Sequence, residues 1–89
     1  MSYTSDLVDE LKLLSLYNLA TTQEGLKVHR TAEPATIAAA KRLHEKGLIT
    51  QADGGYLTNL GIDATEHAQA LLTILESRQM INDRIADKQ

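Results

Sequence analysis

The sequence predicts a mainly α-helical domain with a small β-hairpin, and three observations favour this class. Apolar residues recur with helical spacing near the start of the chain. A second helical segment lies between Pro34 and Gly47. Two short β-prone runs around an Asp-Gly-Gly turn then lead into a last segment with helical spacing. The 89-residue chain therefore fits one compact domain.

The first predicted element is an amphipathic helix. Leu7, Leu11 and Leu14 repeat at i, i+4 and i+7, and mostly charged residues fill the opposite side. This spacing predicts a helix over roughly residues 5–17 with its leucine stripe against the core.

The second predicted helix has a recognisable start and end. Pro34 suits the first helical position, where its missing N–H group is no loss. The alanine run 38–40 favours helix strongly. Gly47 then suits the left-handed residue after a helix, with Leu48 completing a Schellman-type ending. We expect this helix near residues 34–46.

A hairpin and a third helix follow. The runs near residues 48–51 and 56–58 are short and β-prone. Between them, Asp53 and Gly54 are expected to supply the left-handed conformations of a tight primed turn. Thr58 offers a hydroxyl group as a helix cap, so the last helix should begin at about residue 59.

Two apolar stripes run along this last helix. Ala68, Leu72 and Leu75 are expected to cover the core of the domain itself. The second stripe has the alternating spacing of a coiled-coil seam and predicts a homodimer interface formed by Leu71, Ile74, Ile81 and Ile85. The domain is assigned to residues 1–77, and residues 78–89 are either an extension of the helix or a frayed tail.

Two adjoining segments carry a family resemblance. "RLHEKGLI" followed by "GGYLTNLG", within residues 42–61, resembles the recognition-helix end, the wing and the following helix of winged helix-turn-helix proteins, especially small bacterial MarR-like and PadR-like regulators. Upstream, "TQEGLKVHRTAEPATI", residues 22–37, is similar in length and in its ends to the two-helix core of such domains. The resemblance implies a winged helix-turn-helix fold and a DNA-binding or transcription-associated role.

The middle of the upstream segment departs from the family pattern. Lys27 lies where the family usually has a small buried residue, Arg30 where it has an apolar one, and Thr31 where a glycine is common. Two structures therefore remain open for residues 22–33. They form a short helix and a turn, or "LKVH" is an extended piece that pairs with the hairpin.

In a winged helix, the N-terminal half of the recognition helix lies in the major groove of DNA. Most of that half is alanine here, which cannot make bidentate hydrogen bonds to bases, so contact with phosphates is the better prediction. An alternative is that the cations only form a solvated helix face. The predicted DNA-binding residues are Thr36, Ala39, Lys41, Arg42 and Lys46, with Gly54 at the wing.

The charge limits this function. The formal net charge is −3, from 9 basic and 12 acidic residues, which argues against a strongly electrostatic nucleic-acid binder. Its distribution is uneven, because residues 1–20 carry −2 and residues 21–50 carry +2. Double-stranded DNA is thus one expected partner, and a winged-helix module for protein–protein contact without DNA binding is the alternative.

The remaining composition excludes several classes. The chain has no cysteine, no segment typical of a signal peptide and no apolar run long enough for a membrane span, so we expect a cytoplasmic protein. His29, His44 and His67 lack metal-ligand spacing, and no nucleophile adjoins a suitable base. We therefore expect no metal, no cofactor and no enzymatic activity.

Overall fold

A computed structural model describes residues 3–21 and 23–77 of the chain. Three helices and three strands follow one another in the order α1 (Ser5–Leu14), β1 (Leu26–Lys27), α2 (Pro34–Glu45), β2 (Ile49–Gln51), β3 (Gly54–Leu57) and α3 (Asn59–Glu76). The strands form one antiparallel sheet in the order β1-β3-β2. The predicted mainly helical class is confirmed at this level.

Helix α1 is shorter than predicted. The Thr4 hydroxyl oxygen caps its start by accepting a hydrogen bond from the Leu7 N–H group at 3.2 Å. The helix ends at Leu14 rather than at residue 17. After it, the Ser15 hydroxyl donates to the Lys12 carbonyl at 2.7 Å, and the chain turns to bury Tyr17 in the core.

The buried face of α1 also differs from the prediction. Leu7 and Leu11 are exposed, whereas Glu10, Leu13 and Leu14 are buried. At 100° per residue, this places the core-facing side roughly a quarter of a turn from the predicted leucine stripe. The physical reason is Glu10, which is drawn inward by Arg42 of α2 and by Lys46, the residue that follows this helix.

Between α1 and α2, the described residues 23–33 contain a strand and a turn but no helix. Leu26 pairs with Gly55 and Lys27 with Gly54, so β1 joins the free edge of β3. The Val28 N–H group extends the pairing by donating to the Asp53 carbonyl at 2.8 Å. The extended alternative is confirmed, and the described residues do not form the first helix of a two-helix core.

The end of α2 follows the prediction. Gly47 has a φ angle of 81°, in the left-handed region. The Leu48 N–H group donates to the Leu43 carbonyl at 2.9 Å, and the Gly47 N–H group donates to the backbone carbonyl of His44 at 3.0 Å. These two bonds define the Schellman motif.

The hairpin turn is built differently from the prediction. Gly54 and Gly55 have positive φ angles of 124° and 74°, and no other type of residue in the described ranges has one. Asp53 is therefore not left-handed, and β3 begins earlier than expected. A register shift between Ile49 and Gln51 accommodates the change.

Helix α3 contacts the core only along its first half. Thr58 caps it, because its hydroxyl oxygen accepts from the Gly61 N–H group at 3.0 Å. The buried residues are Gly61, Thr65 and Ala68, whereas every residue from 71 to 77 is exposed. The prediction that Leu72 and Leu75 cover the core is wrong. Gly61 packs directly against the Leu48 carbonyl oxygen, because a Cβ at this position would lie only 1.9 Å from that atom. This contact places the buried face near the start of α3.

One apolar core holds these elements together, and α3 also closes the end of α1. The Gln69 side-chain amide donates to the carbonyl oxygens of Tyr17 at 2.7 Å and Ser15 at 3.3 Å. The core cluster comprises Leu13, Leu14, Tyr17, Val28, Ala39, Ala40, Leu43 and Ile49. None of the described helices is both long enough and apolar enough to cross a membrane.

Candidate nucleic-acid interface

Helix α2 packs one side into the core and leaves the other in solvent. Ala39, Ala40 and Leu43 are buried, and Ala39 is 0% exposed. Lys41 and His44 are exposed on the outer side. Ala39 therefore cannot contact DNA directly, and its predicted role is corrected to packing. Its small side chain allows α2 to pack closely in the core.

Arg42 and Lys46 face α1, contrary to the prediction that they contact phosphates. The Arg42 guanidinium donates from Nε to the Glu10 carboxylate at 2.7 Å and from Nη2 to the Asp6 carbonyl at 3.1 Å. Lys46 hydrogen-bonds the other carboxylate oxygen of Glu10. The two cations thus hold α2 against α1.

The burial of the Glu10 carboxylate explains why Arg42 and Lys46 remain paired with it. Its side chain is 7% exposed, and a buried charge without partners is costly. Burial acts to raise the pKa of Glu10, but the hydrogen bonds and charges of Lys46 and Arg42 outweigh burial and lower this pKa below its ordinary value. Moving either cation to a phosphate would leave Glu10 poorly compensated.

Gly54 is also unavailable as a contact at the tip of the hairpin. It is buried and paired with Lys27 of β1, and a Cβ at this position would lie 2.2 Å from the Leu26 carbonyl oxygen. The turn residues at the tip are Ala52 and Asp53. Gly54 is therefore corrected from a DNA contact to a packing position that admits β1.

The hairpin tip is fixed to β1 by an ion pair. Lys27 Nζ lies 2.5 Å from Asp53 Oδ2, with both side chains partly exposed. The hydrogen bond from Lys27 lowers the pKa of Asp53 below its ordinary value and outweighs the opposing effect of desolvation. Because the pair is internally neutral, Asp53 leaves less negative charge at the tip than the sequence suggests.

Thr36 lies apart from Lys41. It is half-buried and lines a shallow apolar depression of about 230 Å³ that also includes Leu13, Leu16 and Thr31. Lys41 lines a different depression. The structure therefore does not bring Thr36 together with the outward-facing cation of α2.

That second depression lies between the turn after β1, the outer side of α2 and the hairpin tip. It encloses about 360 Å³ and is called here the basic depression; it is lined by Val28, His29, Arg30, Ile37, Lys41, Ala52 and Asp53. Within residues 3–21 and 23–77, neither Arg30 nor Lys41 makes an ion pair. Two uncompensated cations and a histidine thus line one concave surface.

Sequence reasoning missed His29 and Arg30 as members of this surface. The available signal was that Arg30 stands at a position where the resembled family has an apolar residue. Its meaning depended on the pairing of β1 with β3, which places the following turn beside α2. Residue spacing alone does not reveal such a long-range pairing.

A second concave surface lies between α1 and α3 and is called here the α1–α3 groove. It encloses about 340 Å³ and is lined by Val8, Leu11, Lys12, Ser15, Ala68, Leu71, Leu72 and Leu75. Two residues of the predicted dimer seam, Leu71 and Ile74, are exposed in this region. The other two, Ile81 and Ile85, lie outside the described residues.

The part of the chain that the structure describes contains no group of three or more side chains placed to hold a metal ion.

Comparison with curated proteins and with solved structures finds no significant match. A family model described as a family of unknown function, DUF5669, matches residues 1–76. Because this match spans most of the 89 residues, the chain belongs to the DUF5669 family.

Proposed function

We propose that this chain is a winged-helix module that binds the backbone of double-stranded DNA through the basic depression. In this proposal α2 is the recognition helix, and β2 with β3 is the wing. The order helix, strand, helix, hairpin, helix supports it. The turn over residues 28–33 takes the place of the first helix of a helix-turn-helix.

The basic depression is the observation that carries the proposal. Arg30 and Lys41 come from different elements, yet their side chains line the same concavity beside the hairpin tip. Phosphate groups attract cations. Asp53 also lines the depression, but its charge is paired with Lys27. His29 adds positive charge when it is protonated.

The exposed residues of α2 favour backbone contact over base recognition. Near its start the helix presents Pro34, Ala35 and, partly, Thr36 and Ala38. Among these four side chains, the Thr36 hydroxyl is the one hydrogen-bonding group, and direct readout of bases requires such groups. We therefore propose binding with little sequence preference.

The small number of cations in the basic depression sets the expected affinity for DNA. Each phosphate contact contributes roughly −0.9 to the slope of log affinity against log salt. Arg30 and Lys41 together predict a slope of about −2 per chain. With a net charge of −3, the protein should bind weakly and mainly at low salt.

Fluorescence anisotropy with a labelled duplex of mixed sequence tests this function. A salt series on the unmodified protein should give a linear loss of log affinity with log salt. Duplexes rich in A·T or in G·C pairs should bind with similar affinities. Absence of binding to any duplex at low salt would reject the proposal.

A protein–protein module without DNA binding is the second candidate. The apolar, donor-poor start of α2 and the acidic total charge favour it. The two functions differ in whether the chain binds duplex DNA at low salt, so the anisotropy experiment distinguishes them.

A further inference from the structure

The α1–α3 groove and its surroundings leave apolar surface in solvent. Six aliphatic side chains on α1 and on the second half of α3 are each between 39% and 60% exposed: Leu7, Leu11, Leu71, Leu72, Ile74 and Leu75. Four of them, Leu11, Leu71, Leu72 and Leu75, line the groove itself. Scattered exposed leucines are normal, but a continuous apolar patch usually marks an interaction surface.

We propose that a second copy of this chain covers the α1–α3 groove. Helix α3 of each copy lies against α1 and α3 of the other, related by a two-fold axis. This interface differs from the seam expected on α3 alone, because Leu11 of α1 forms one of its walls.

The exposed apolar area of two copies is close to the minimum for a specific interface. Six half-exposed aliphatic side chains present on the order of 500 Å² per chain, so two copies together approach the roughly 1,000 Å² at the low end of specific interfaces. The groove itself, with a volume of about 340 Å³, has room for side chains from a partner helix. Lys12 is the charged residue among those that line it.

The chain also carries both halves of a self-complementary surface. Leu11, Leu72 and Leu75 line the concave part. Ile74, which is 60% exposed on the second half of α3 and is not among the lining residues, supplies a ridge. A two-fold interface uses the same patch on both subunits, so a ridge beside a groove satisfies its geometric requirement.

The sequence pattern favours a helix of a second copy as the occupant. Leu71 and Ile74 begin an alternating spacing that continues in the sequence to Ile81 and Ile85. Such spacing is typical of helices that pair with other helices. Two identical α3 helices meet this condition.

Sedimentation equilibrium of the full chain tests the proposal. We expect a weak, reversible monomer–dimer equilibrium, because an interface of about 1,000 Å² lies below the usual range of stable complexes. Leu75→Glu should raise the dimer dissociation constant at least about tenfold, because an unpaired carboxylate would be buried. Leu60→Glu is the matched control, since Leu60 is similarly exposed at the other end of the same helix. It should leave the dimer intact.

Cross-linking provides a second measurement that does not depend on the stability of a charged variant. The chain has no cysteine, so Ile74→Cys introduces a unique thiol. A short bis-maleimide should link Ile74→Cys chains efficiently and Leu60→Cys chains poorly.

Three results would overturn the proposal. The first is a wild type that is still monomeric at high micromolar concentration, as would occur if the tail of the same chain or another protein covered the groove. The second is equal loss of the dimer in both glutamate variants. The third is equal cross-linking of both cysteine variants.

Discussion

Arg42 Nε lies 2.7 Å from the Glu10 carboxylate, so the guanidinium of α2 is turned toward α1 and not toward solvent. Lys46 bonds the same carboxylate. This arrangement pairs two of the cations that the sequence offered for DNA with a carboxylate, although Lys46 stays partly exposed, and leaves Lys41 as an outward-facing cation without an ion pair in the described ranges. It also sets the rotation of α1, because Glu10 occupies a position facing the core.

Glu10→Gln should destabilise the fold by about 1–3 kcal/mol, since it weakens two hydrogen bonds to charged groups. Urea unfolding followed by circular dichroism measures the change. Glu45→Gln is the control, because Glu45 is exposed on α2 and makes no ion pair within the described ranges. Equal stability of the two variants would contradict the assigned role of Glu10.

Acid should destabilise the protein through the same carboxylate. Its pKa in the folded state is lower than its ordinary value of 4.5. The contribution of Glu10 to stability is therefore present above pH 4.5 and is lost as the pH falls through the folded pKa. Urea midpoints between pH 6 and pH 3 should fall more steeply for the wild type than for Glu10→Gln. Parallel curves would exclude this linkage.

Two glycines with positive φ angles should respond differently to alanine. A Cβ at Gly47 meets nothing within 4 Å, so Gly47→Ala costs only the left-handed conformation, about 1–2 kcal/mol. Gly54→Ala would add a contact of 2.2 Å with the Leu26 carbonyl oxygen and should separate β1 from β3. We expect the larger loss in the thermal midpoint for Gly54→Ala. A smaller loss there than at Gly47 would contradict the packing described for β1.

The fold was predictable where local chemistry decides it. Pro34 and Gly47 placed α2 within one residue, and Thr58 placed the start of α3. The buried face of α1 was not predictable, because it depends on the pairing of Glu10 with residues more than thirty positions away. The turn at Gly54 likewise depends on β1, which pairs from a distant part of the chain.

The candidate site was predictable only in part for the same reason. Lys41 was named as a cation of α2, and it is exposed. The pairing of β1 with β3 places Arg30 in the basic depression, and the ion pair with Glu10 turns Arg42 toward α1. Both changes follow from tertiary contacts that residue spacing does not encode.

The central claim is that DNA binding uses Arg30 and Lys41. The most direct test compares the salt dependence of duplex binding for the double variant Arg30→Ala, Lys41→Ala with that of Lys12→Ala, an exposed cation on the α1–α3 groove. The account predicts a slope shallower by about 2 in the double variant and a nearly unchanged slope in the control. Equal slopes in the wild type and the double variant would contradict it.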